Sequence, residues 1–93
     1  MTFEEYILMY LTERAFTDVQ AVEVKNHIMK QLPTDRMSKF SCQDMSCIDG
    51  FVKLQIDLLL IGYVVLFVNT FYPQSSMLGE FLTELERLKL QCQ

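Results

Sequence analysis

Hydrophobic and polar positions alternate along this chain in two registers, and the change between them organises the whole reading. Residues 3–14, FEEYILMYLTER, repeat apolar side chains at helical spacing: Phe3, Ile7, Tyr10 and Leu11 fall on one side, while Glu4, Glu5, Glu13 and Arg14 keep to the other. Thr2 followed by Glu5 has the form of a capping box, in which each side chain satisfies a backbone N–H that the first turn leaves unpaired. The same signal returns at Thr17 and Gln20, ahead of a second stripe at Ala21, Val24, Ile28 and Leu32. Pro33 ends that run, because it lacks an N–H and clashes with the preceding turn. Helices over 3–14 and 18–32 are therefore expected, with a polar connecting segment over 33–50 after them.

The pattern then disappears into a block with no polar side at all. Leu58 to Val68, LLLIGYVVLFV, holds no charge and no strongly polar group. The favoured assignment is one helix over 51–72, with Lys53 and Asp57 spaced to pair, although in the less favourable order. A rival exists, since VKLQIDL alternates cleanly and YVVLFV is β-branched and aromatic, so strands near 51–58 and 63–71 would suit it. The joint LLIG argues against that rival, because it offers one glycine and no other turn-former. After Pro73, with Ser75 and Ser76 as loop and cap, a last helix is expected over 77–91. Leu78, Phe81, Leu82, Leu85 and Leu88 line one of its faces.

These elements make a small all-α protein: a bundle of about four helices in one domain, 1–93, with 51–72 as its apolar central helix. The alternative is an α+β fold using the two strands. A third version treats the first two helices as the start of a winged-helix-like protein-docking module.

Composition sharpens this picture. The chain is 93 residues long and 51% hydrophobic, rich enough to build a core at a size where burial is hard to achieve. Its net charge of −4 and its scattered eight Lys and Arg oppose nucleic-acid binding, which needs clustered cations. Three cysteines, Cys42, Cys47 and Cys92, are an odd number and suit reduced thiols inside a cell, cytoplasmic or nuclear. Glu4 and Glu5 stand where an export signal carries positive charge, so export is not expected.

Length decides less cleanly whether 51–72 lies in protein or lipid. A span needs about 20 predominantly apolar residues, and the strictly apolar run is shorter. Six of the eight cations precede residue 54, which would put the N-terminal side in the cytoplasm if the segment does span. IGYVVLFVNTFYP, 61–73, is similar to a transmembrane segment of the anoctamin channels and scramblases. It departs from them at Lys53 and Ile56, where that family has acidic calcium ligands, and no assignment rests on it.

Candidate chemistry is sparse. His27 has no nearby acid or thiol in sequence, and Cys42 and Cys47 are poorly spaced for zinc even with His27 and Cys92 counted. Glu80, Glu84 and Glu86 read as the solvated side of a helix, and no phosphate-binding glycine loop occurs. No catalytic, metal or cofactor residue is assigned, and no enzyme activity is expected. The expected function is protein–protein interaction or assembly, as a homo-oligomer or a subunit of a complex. It would work through Leu78, Phe81, Leu82, Leu85 and Leu88, and next through Phe3, Ile7, Tyr10 and Leu11. The alternative is a single-span membrane subunit.

Overall fold

The computed structural model describes residues 2–32 and 49–92. The fold is all-α, with four helices among the described residues: α1 (Phe3–Thr12), α2 (Asp18–Gln31), α3 (Gly50–Phe71) and α4 (Met77–Gln91). They group into two compact units, one holding α1 and α2 and the other α3 and α4.

In the first unit α1 packs against α2. Both capping boxes form: Thr2 accepts from the Glu5 N–H at 3.2 Å while Glu5 accepts from the Thr2 N–H at 3.2 Å, and Thr17 and Gln20 repeat the exchange at 3.2 and 3.1 Å. Phe3, Tyr6, Ile7, Tyr10 and Leu11 form the buried stripe of α1, and Ala21, Val24 and Ile28 that of α2. An ion pair, Lys25 to Glu4 at 3.8 Å, joins the two helices at the surface, where such pairs contribute little.

α1 stops at Thr12, two residues before the periodicity runs out, and the reason is local. The Ala15 N–H donates to the Thr12 carbonyl at 3.2 Å and the Phe16 N–H reaches back to the Leu11 carbonyl at 3.4 Å. This is a Schellman closure, which needs one residue in the left-handed region. Ala15 takes that place at φ 68°. Arg14 adds to the stop: its Nη1 donates to the Tyr10 carbonyl at 2.9 Å while its guanidinium lies over the Tyr10 ring at 3.4 Å. A carbonyl of the last turn thereby accepts from a cation, the favourable sign for that end of a helix. At the other end of the unit, Leu32 has left the helix for extended backbone at φ −67° and ψ 133°, the geometry favoured before a proline. Pro33 and the connecting segment through residue 48 lie outside the described residues.

The second unit overturns the strand alternative. α3 runs unbroken for 22 residues, through Ile61 and Gly62 without a turn, and among the described residues there is no strand. The strands near 51–58 and 63–71, and the winged-helix version built on them, required a reversal at LLIG. A single glycine between apolar helix-formers supplies none, and helix costs the backbone fewer unmet hydrogen bonds than two strands lacking a neighbour. Asp49 caps α3 by accepting from the Phe51 N–H at 2.8 Å, and Lys53 pairs with Asp57 at 3.5 Å. Residues 72–76 connect α3 to α4, and the two helices pack together. So short a connection makes them antiparallel neighbours. The cap of α4 differs from expectation: Ser76 makes no side-chain cap bond, and Ser75 instead accepts from the Met77 N–H at 3.2 Å.

Because an alanine bears a steric cost of roughly 1–2 kcal/mol in the left-handed region, Ala15→Gly should raise stability by about 0.5–1 kcal/mol once glycine's own entropy is set against it. Urea unfolding monitored by circular dichroism measures this, and a lower midpoint would contradict the assigned closure.

Candidate interaction surface

Side chains able to perform chemistry are dispersed in this fold. Among the described residues no polar or charged side chain is fully buried, and no three His, Cys, Asp or Glu side chains gather as a metal site would require. His27 is half-buried on α2, and Cys92 is a half-buried free thiol beyond α4. Cys42 and Cys47 lie outside the described residues. Glu80 and Glu86 are exposed and Glu84 is half-buried. A depression of about 300 Å³ is lined by Thr2, Phe3, Glu4 and Met29, with no cluster of polar groups converging on it.

The carboxyl of Glu5 is perturbed. The Thr2 backbone N–H, and then its hydroxyl, hold the Glu5 carboxyl below its ordinary 4.5. Both bonds favour the charged form, so the capping box contributes fully above that ordinary value and is lost as pH falls through the lowered one.

Apolar surface is what the fold has in excess. The buried side chains of α3 are Ile56, Leu60, Ile61, Val64, Phe67 and Val68, which lie along one side of the helix. On the opposite side Phe51, Gln55, Leu66 and Asn69 are exposed and Leu58, Leu59, Gly62 and Val65 are half-buried. Leu66 alone is 52% exposed. Gly62 stands in the middle of this side. Among the described residues a Cβ built at Gly62 meets nothing within 4 Å, as is also true at Gly50 and Gly79.

The structure divides the nine residues expected to bind a partner. Phe3, Ile7, Tyr10 and Leu11 are buried, as are Phe81 and Leu88. Leu78 and Leu85 are half-buried, while Leu82 is 44% exposed. Of the nine, Leu82 is thus the most open, flanked on its helix by the half-covered Leu78 and Leu85. The outer side of α3 and the exposed Leu90 are further open apolar surface that the stripe reading missed. A helix apolar all round has no periodicity from which to tell its covered side from its open one.

A comparison of the chain with protein families, with curated proteins and with solved structures finds no match in any of the three.

Titrating the chain by carboxyl-detected NMR should place the Glu5 midpoint below 4.5. Thr2→Ala keeps the backbone donor but removes the hydroxyl, so it should move that midpoint only part of the way back. A Glu5 midpoint at or above the ordinary value would mean that the capping box does not persist in solution.

Proposed function

We propose that this chain is a non-enzymatic protein–protein interaction or assembly module, acting inside a cell through apolar helix faces as a homo-oligomer or as a subunit of a complex. One observation carries the reading: the α3–α4 unit leaves large apolar side chains open to solvent, including Phe51, Leu66, Phe71, Leu82 and Leu90. Single exposed apolar residues are ordinary, but a helix side open over several turns marks a surface that another macromolecule covers. The net charge of −4 favours a protein over a nucleic acid as that macromolecule.

A single-span membrane subunit is the second reading, and it also has an observation in its favour. α3 is the one helix among the described residues long and apolar enough to cross a membrane, and only 33% of its most apolar window is buried. At 1.5 Å per residue its 22 residues reach roughly 33 Å, against a hydrocarbon core of about 30 Å. The neighbour is the difficulty. α4 packs against α3 and carries Glu80, Glu84, Glu86, Arg87 and Lys89. At mid-bilayer each such charge costs about 2.5–3.5 kcal/mol, so α3 spans only if α4 leaves it. Interaction with protein requires no such rearrangement and is the reading adopted.

Expression without detergent followed by high-speed sedimentation separates the two. The interaction reading expects a soluble species whose light-scattering mass exceeds one copy, or which gains mass with its partner. Recovery confined to a carbonate-resistant pellet would transfer the assignment to the membrane. In the soluble form, replacing Leu82 and Leu85 together by Glu should weaken association through α4 while leaving most helical signal. Collapse of the helical signal would make both residues part of the core.

A further inference from the structure

We draw no further inference here: the strongest candidate, the open apolar side of α3 that carries Phe51 and Leu66, is an exposed helix face, and nothing in the structure shows what covers it.

Discussion

The constraint on which the second unit depends is that the middle of α3 has no polar side, while its buried residues lie along one side of the helix. The 22 residues of α3 include a continuous apolar run from Leu58 to Val68. Against it α4 offers a stripe in which only Phe81 and Leu88 are fully buried. A helix with a single apolar stripe satisfies its hydrophobic requirement by lying on one partner; a helix without a polar side does not. The leftover surface has to meet water at a cost, or lipid, or protein. Every functional reading of this chain is an answer to that one question. The charges on α4 weigh against lipid.

Much of the fold was legible because its signals are local. Thr2 with Glu5 and Thr17 with Gln20 each contain both partners of a reciprocal bond within four residues, and both form. The stripes of α1 and α2 are equally local, since helical periodicity alone sets them. Legibility failed where the deciding group lay outside the pattern. Asp49, in the run CIDG at the end of the polar connecting segment, gave no sign that it caps α3, because nothing around it marks a helix start. Ser76 had the right chemistry for a cap of α4, but Ser75 does the work one residue earlier, a shift of the kind that helix ends commonly show. The α3 segment resisted assignment for a deeper reason. An all-apolar run carries neither period 2 nor period 3.6, so only length and the poverty of turn-formers at LLIG favoured helix.

The surface was read less well than the fold, and unevenly. Sequence marks an apolar face but not what covers it. Phe81 and Leu82 are adjacent leucine-scale residues of similar promise in the linear pattern, yet one is 3% and the other 44% exposed. The difference is a rotation of 100° about the helix axis, and it is fixed by which side of α4 meets α3. Gly62 shows the converse. As the lone turn-former of LLIG it was too little for a reversal, and the helix runs straight through it.

The joint between α1 and α2 has a consequence for how the chain is made. Its Schellman closure, the Arg14 stack on Tyr10 and the Thr17 capping box all lie within a dozen residues of one another, so the α1–α2 hairpin closes by short loops. Eighteen residues separate Gln31 from Gly50, and at synthesis rates of about 5–20 residues per second their addition occupies about 1–4 s. Helical hairpins of this locality form in well under a millisecond to milliseconds. On these rates the local closure of the α1–α2 hairpin precedes the synthesis of α3, so the chain's most apolar segment emerges after its first two helices have had time to pair.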